Sequence, residues 1–255
     1  MRVRFYGVRG SIATAGDETR RYGGNTPCVT VEAGDELLIF DAGTGIRKLG
    51  TELGPVGVRA SLFFSHLHWD HIQGFPFFTP AFVPGNELSI YGVSNADDGA
   101  SVRDLLAAQM RPPHFPVTLD VMAADLRFHD LAPHALVRRG PLEVRHAPVD
   151  HPNGCVAWRV DYRGRSVVYA TDLEHDGHGP APALLELAAG ADLLIYDAMY
   201  TPEEYEGDAI RRSRRGWGHS TFEAGAQLAE RARAKELCLF HHDPAHGDVF
   251  MDELG

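Results

Sequence analysis

Three cysteines in 255 residues are too few for a disulfide framework, and Cys28, Cys155 and Cys238 show no C-x-x-C spacing. They lie in strand-like runs and are expected to be buried thiols in a reducing cytoplasm. Although 44% of the residues are hydrophobic, no apolar run approaches the ~18 residues that cross a bilayer, so no membrane span is expected. The opening Met1-Arg2-Val3-Arg4-Phe5-Tyr6 goes straight into alternation, without the charged start, apolar segment and cleavage site of an export leader. Repeats of fixed short period and low-complexity linkers are lacking too. Positive charge is scarce: 24 Lys+Arg against 35 Asp+Glu leave a formal net charge of -11. A protein that grips long RNA or DNA offers a basic face to the phosphates, so this balance argues against long nucleic acid and for a small anionic substrate. The exception is Arg211-Arg212-Ser213-Arg214-Arg215, either a solvated loop or a phosphate contact.

What is present is a long series of short apolar or alternating runs. Val3 to Phe5, Cys28 to Val31, Leu37 to Phe40, Ser61 to Phe64 and Leu88 to Tyr91 form a first group. Leu142 to Val144, Val156 to Val160, Ser166 to Tyr169, Leu193 to Tyr196 and Leu237 to Phe240 form a second. Runs of four to six residues bounded by Gly, Pro, Asn or Asp read as strands. Helical spacing is confined to Ile46–Leu53, Ser101–Met110, Ala183–Ala189 and Phe222–Ala234. Two groups of strands separated by helical stretches predict an α/β fold with two packed sheets and helices outside. Pro112-Pro113-His114-Phe115-Pro116 excludes helix and central strand and reads as a loop.

Directly after Leu62-Phe63-Phe64 comes Ser65-His66-Leu67-His68-Trp69-Asp70-His71, three imidazoles and a carboxylate delivered to one loop edge. Imidazole nitrogen and carboxylate oxygen suit zinc, manganese or iron, and a packed core would not hold so many polar groups without something for them to bind. The plainer alternative is a pair of surface histidines with Asp70 capping a helix. Clustering favours a metal site.

The H-x-H-x-D-H run, with Asp41-Ala42-Gly43-Thr44-Gly45 before it and His151-Pro152-Asn153-Gly154, Thr171-Asp172, Gly218-His219-Ser220-Thr221 and Leu237 to His241 after it, resembles the metallo-β-lactamase superfamily. The set is similar to its phosphodiesterase branch, which includes the tRNA 3′-processing endonuclease and the phosphoribosyl cyclic phosphate phosphodiesterase. The resemblance implies an αββα sandwich of two mixed sheets flanked by helices, and a binuclear metallohydrolase. It implies that two divalent ions, zinc first and manganese or iron next, are held by His66, His68, Asp70, His71, His151, Asp172 and His241, with Asp172 bridging. Between the metals it places a hydroxide as nucleophile, with Asp70 and His219 as catalytic residues and His219 the general acid. An imidazole with its ordinary pKa near 6.5 suits proton donation at cellular pH.

Because these residues run from His66 to His241 and must serve one centre, a single domain over residues 1–255 is expected. Two assignments rest on position as well as on the resemblance. His146 lies within a strand pattern whereas His151 follows one, and the strand Leu237–Phe240 ends on His241 rather than His242. Asp41 is the candidate for orienting a ligand imidazole. The loops Gly7-Val8-Arg9-Gly10-Ser11 and Arg21 to Thr26 are either plain glycine turns or approaches to a small phosphate. The leading function is a phosphodiesterase acting on a small cyclic or nucleotide phosphodiester. Hydrolysis of a lactone, thioester or β-lactam is the first alternative, followed by tRNA 3′ processing and a non-catalytic metal-bound sensor. No basic Gly/Pro-rich arm like that of the tRNA endonuclease is evident. The assembly, monomer or homodimer, is left open.

Overall fold

The structure is a computed structural model that describes residues 1–93, 99–175, 177, 179–210 and 212–254. Its chain divides into two compact units, Met1–Leu131 with Pro244–Gly255, and Ala132–Asp243.

The first unit begins with β1 (Arg2–Gly7), β2 (Cys28–Ala33) and β3 (Glu36–Phe40), continues through α1 (Gly45–Leu53), β4 (Arg59–Phe63), α2 (Trp69–Ile72) and β5 (Glu87–Gly92), and then through α3 (Val102–Gln109) to β6 (Asp125–Asp130). The six strands form one sheet in the order β1-β2-β3-β4-β5-β6. The first three pair antiparallel, and β3 to β6 pair parallel. A parallel step needs a crossover, and α1 supplies the one from β3 to β4. Its apolar positions Ile46 and Leu49 join Ile39, Leu62, Phe64, Ile90, Val102 and Leu106 in a single core.

The second unit follows the same plan with the meander lengthened. It runs β7 (Leu136–Arg139), β8 (Leu142–Val149), β9 (Cys155–Tyr162), β10 (Arg165–Ala170), α4 (Pro182–Ala188), β11 (Leu193–Asp197), α5 (Pro202–Glu206), α6 (Phe222–Ala232) and β12 (Glu236–Phe240). The sheet order is β12-β11-β10-β9-β8-β7, antiparallel from β7 to β10 and parallel from β10 to β12. Between β9 and β10 the two turn residues Arg163 and Gly164 both take positive φ, 48° and 76°, as a tight hairpin turn twisted to match its strands requires. Leu184, Leu187, Leu194 and Leu228 knit α4, β11 and α6 into this unit's core.

The chain then returns to the first unit and ends in α7 (Asp248–Leu254). Arg9, fully buried, donates through Nε to Gly23 O at 2.9 Å and through a terminal nitrogen to His246 O, and its other terminal nitrogen lies 3.9 Å from Asp248. Arg21 N donates to the Asp248 carboxylate at 2.8 Å. Arg9 is therefore a fastening for the C-terminal segment and turns away from solvent. Two mixed six-stranded sheets with flanking helices match the fold class read from the sequence. Among the described residues no helix is long and apolar enough to cross a membrane.

Candidate metal centre

Most candidate ligands lie past the carboxyl ends of parallel strands, where loops into crossover helices gather; His151, which follows the antiparallel β8, is the exception. In the first unit Asp41 directly follows β3, and β4 leads into the loop Ser65 to His68 and helix α2. The loop after Asp41 cradles α2: Ala42 N donates to His71 O at 2.7 Å and Gly74 N to Ala42 O at 2.9 Å. A Cβ on Gly43 would stand 2.3 Å from Asp70 O and 2.4 Å from Thr26 Oγ1, so only glycine admits this approach. Asp41 is fully buried. It accepts from Ser65 N, from Ser65 Oγ and from His71 Nδ1, each at 2.8 Å. Ser65 Oγ is also 3.1 Å from His66 Nδ1, so one carboxylate orients two imidazoles. Asp70 accepts from Ser11 N at 2.8 Å.

With its Nδ1 proton given to Asp41, His71 turns a bare Nε2 lone pair toward Asp70 Oδ2, 3.3 Å away. Two electron-rich atoms brought together out of water are reconciled by a cation. His66 and His68 lie beside this pair, their ring centroids 4.4 Å apart.

In the second unit the same logic recurs. His151 follows β8 and donates from Nδ1 to Gly218 O at 2.7 Å, while its Nε2 is 3.8 Å from Asp172 Oδ1. Gly218 has φ +82°, and a Cβ there would meet His151 Nδ1 at 2.3 Å. Asp172, two residues past β10, accepts from Thr171 Oγ1 at 2.6 Å, and lies 3.3 Å from His241 Nε2. Donor atoms of Asp172, Asp197, His219 and His241 all lie within 4.8 Å of one another. A donor set of buried imidazole and carboxylate groups, in which His71 and His151 commit a ring proton to Asp41 and to Gly218 O, fits a divalent metal and the outer partners that such ligands keep. Asp41 and His241, each one residue past a strand, and Asp172, two residues past β10, have φ of 60°, 58° and 52° respectively. Left-handed backbone in residues other than glycine is sparsely populated and collects at functional sites.

Asp197, the last residue of β11, was not among the sequence candidates. It is fully buried and accepts from His219 Nδ1 at 2.9 Å, Asp172 N at 3.0 Å, and Ser220 N and Met199 N at 3.1 Å. The signal was available: Leu193-Leu194-Ile195-Tyr196 ends on an aspartate just as Leu37-Leu38-Ile39-Phe40 does. Thr221 caps α6, accepting from Ala224 N at 3.3 Å. Ser220 meets Tyr196 Oη and His175 Nδ1, each at 2.9 Å.

His146 lies inside β8 with Nε2 3.2 Å from Ala132 O and its ring 5.2 Å from that of Trp158. Burial pushes its pKa down, which suits a neutral packing residue. Cys28 and Cys155 are buried and Cys238 half-buried. Burial raises the Cys28 thiol and pushes Cys238 up to about 11, so both stay unreactive. In the arginine run, Arg211 lies outside the described residues. The Arg215 guanidinium pairs with Glu206, Nε to Oε2 at 3.1 Å.

A model of the Beta-lactamase superfamily domain matches residues 37–242 of this chain. The chain belongs to the β-lactamase superfamily. Within it the chain is a metal-binding hydrolase of the phosphodiesterase branch. It is 31% identical over 241 residues to Ribonuclease Z of Mycobacterium avium, across 86% of this chain and 80% of that protein. To Ribonuclease Z of Natronomonas pharaonis it is 29% identical over 289 residues, across 94% and 86%. Among solved structures, a diphosphatase from the PhnP family aligns at TM-score 0.71 and 18% identity, covering 98% of this chain and 90% of that one. That likeness shows the metallo-β-lactamase fold.

Proposed function

We propose that this superfamily member is a binuclear phosphodiesterase acting on a small cyclic or nucleotide phosphodiester, its two units serving as one domain. His66, His68 and His151 hold one metal, Asp70, His71 and His241 the other, and Asp172 bridges them. Zinc is the first choice for an imidazole and carboxylate set, with manganese or iron next. When bound, the metals supply a water made nucleophilic near neutral pH and draw charge from the phosphoryl oxygens. The reading is supported by superfamily membership and by imidazole nitrogens turned toward carboxylate oxygens within each unit.

The observation that carries the phosphodiesterase reading is the Asp197–His219 pair. Asp197 accepts the Nδ1 proton at 2.9 Å, which fixes the ring and stabilises its protonated form. His219 can then give its Nε2 proton to the departing oxygen. An alkoxide with a high pKa needs that proton in the transition state, and an acyl transfer to water through a good leaving group does not. His219→Ala should therefore lose ~10²–10⁴-fold on a cyclic nucleotide, much less on bis-p-nitrophenyl phosphate, and keep its metal. Equal losses, or lost metal, would turn His219 into a structural or ligand residue and favour lactone or β-lactam chemistry, so the assay panel includes both.

The relatives' name makes tRNA 3′ processing the second reading. Against it stands the net charge of -11, a poor match to the phosphates of a long RNA. A precursor tRNA in the same panel separates the two. The thiols of Cys28, Cys155 and Cys238 suit a reducing, cytoplasmic location.

A further inference from the structure

Arg214 differs from its neighbours in what holds it. Arg215 is neutralised by Glu206, whereas Arg214 makes no ion pair among the described residues and is half-buried. Its guanidinium carbon lies 4.4 Å above the Trp217 ring and 5.9 Å from the Tyr200 ring. The backbone beneath it is pinned: Arg214 N donates to Tyr205 O at 3.0 Å, and Trp217 N to Arg214 O at 3.1 Å. A guanidinium stacked on an indole is oriented by the ring's quadrupole through its face, which leaves the in-plane N–H groups for a planar or phosphate acceptor. Tyr200, the second ring, is buried and stands edge-on to His219, centroids 5.9 Å apart at 83°. An oriented cation without a carboxylate thus sits one aromatic ring from the proton donor, in a chain of net charge -11 where acids to pair with it are plentiful.

We infer that Arg214 binds a phosphate monoester carried by the leaving-group half of the substrate. The inference rests on the proposed function: if His219 protonates the departing oxygen, whatever lies beyond His219 on that side belongs to the departing fragment. Phosphate is preferred to carboxylate because the three oxygens of a monoester, at about two negative charges, meet the guanidinium fork in a bidentate pair.

Adenosine 2′,3′-cyclic phosphate with and without a 5′-phosphate tests this. Hydrolysis adds water across one P–O bond of the ring and returns a proton to the freed ribose oxygen, and the ribose that bears this leaving oxygen also bears the 5′-phosphate. The metal-loaded protein should prefer the 5′-phosphorylated substrate. Arg214→Gln should raise KM for it by about 10–100-fold, the range for losing a charge-assisted pair, with kcat little changed and a far smaller effect on the substrate that lacks the 5′-phosphate. Arg214→Lys should recover part of the loss, since the charge stays and the fork goes. Equal losses on both substrates, or no preference in the unsubstituted protein, would make Arg214 a clamp on Trp217 and overturn the inference. If neither substrate turns over, the phosphodiesterase reading fails on its own account. Calorimetric titration with AMP against adenosine then decides on Arg214: weaker AMP binding in Arg214→Gln supports it, and unchanged binding overturns it.

Discussion

An aspartate at the carboxyl end of a parallel strand grips an imidazole through Nδ1 in both units, at 2.8 Å for Asp41 and His71 and at 2.9 Å for Asp197 and His219. The mountings are alike and the loads are not. The His71 side chain is fully buried, with its second nitrogen toward the Asp70 carboxylate, while that of His219 remains 11% exposed and can meet a substrate. Asp41 has its remaining bonds on Ser65, within the ligand loop itself. Asp197 has its own on the backbone of Asp172, Met199 and Ser220, so one carboxylate couples the placement of the proposed bridge to that of the proposed proton donor. An aspartate–imidazole pair is thus a neutral device, and what the ring's other nitrogen faces decides whether it serves coordination or proton transfer.

The strongest way to break this comparison is Asp172→Ala. With the bridge gone, metal per chain by elemental analysis should fall at both positions, and the loss of activity should exceed the ~10–100-fold typical of losing an outer partner. Retention of two metals would undo the assignment. Next in size is the pair His151→Ala and His146→Ala. The first removes a proposed ligand and should cost metal and most of the turnover. The second opens a space beside Trp158 and should show chiefly as a lower melting temperature, about 1–3 kcal/mol. The reverse order would move the third ligand into β8.

The two aspartates then separate. Asp41→Asn should weaken metal affinity by ~10–100-fold, as loss of an outer partner to a ligand imidazole does, measured by competition with a chelating dye. Asp197→Asn should leave metal content nearly intact and lower kcat on alkyl phosphodiesters more than on p-nitrophenyl esters. Should both variants lose metal alike, the two pairs do one job. The smallest effect lies at the other end of β11. Asp192 accepts from Ser166 N at 2.8 Å and pairs with Lys235 at 2.7 Å and Arg165 at 3.1 Å, which brings its pKa from 3.8 down to about 2, with the Lys235 bond the largest cause. A depressed carboxylate pKa stabilises the fold above the unfolded value and ceases to do so as pH falls through the folded one. Asp192→Asn should cost about 1 kcal/mol at neutral pH, after discounting for solvent, and much less near pH 2, as read by thermal melts at both.

Much of this was legible from the chain. The ten strands read from apolar runs and the four helices read from spacing all appear, because each is bounded by turn residues and packed on a defined core. β6 and β7 were missed: both are sheet edges, and Asp125, Arg127, Asp130, Arg138 and Arg139 give them the charged look of loops, as exposed edges tend to have. The short α5 carried a signal in Thr201-Pro202-Glu203-Glu204, where the side chains of Thr201 and Glu204 cap each other's backbone. Asp197 escaped notice because a lone aspartate after a strand looks like a turn, and only its four bonds distinguish it. The half-burial of Arg214 was beyond reach, since Trp217 and Tyr200 meet it through the fold.

The division of the chain has a bearing on biosynthesis. Residues 132–243 form one uninterrupted unit, whereas the other unit is closed by Pro244–Gly255, with Arg9 and Arg21 waiting for His246 and Asp248. Domains emerge from the ribosome at ~5–20 residues per second, so the first sheet stands without its C-terminal fastening for roughly ten seconds while the second is being made. During that interval the loop bearing Ser11 and Arg9 is unlatched, and metal taken up early would meet an Asp70 whose Ser11 partner is not yet held in place. A nascent chain stalled short of Pro244 would therefore lack the partners that fasten Arg9 and Arg21.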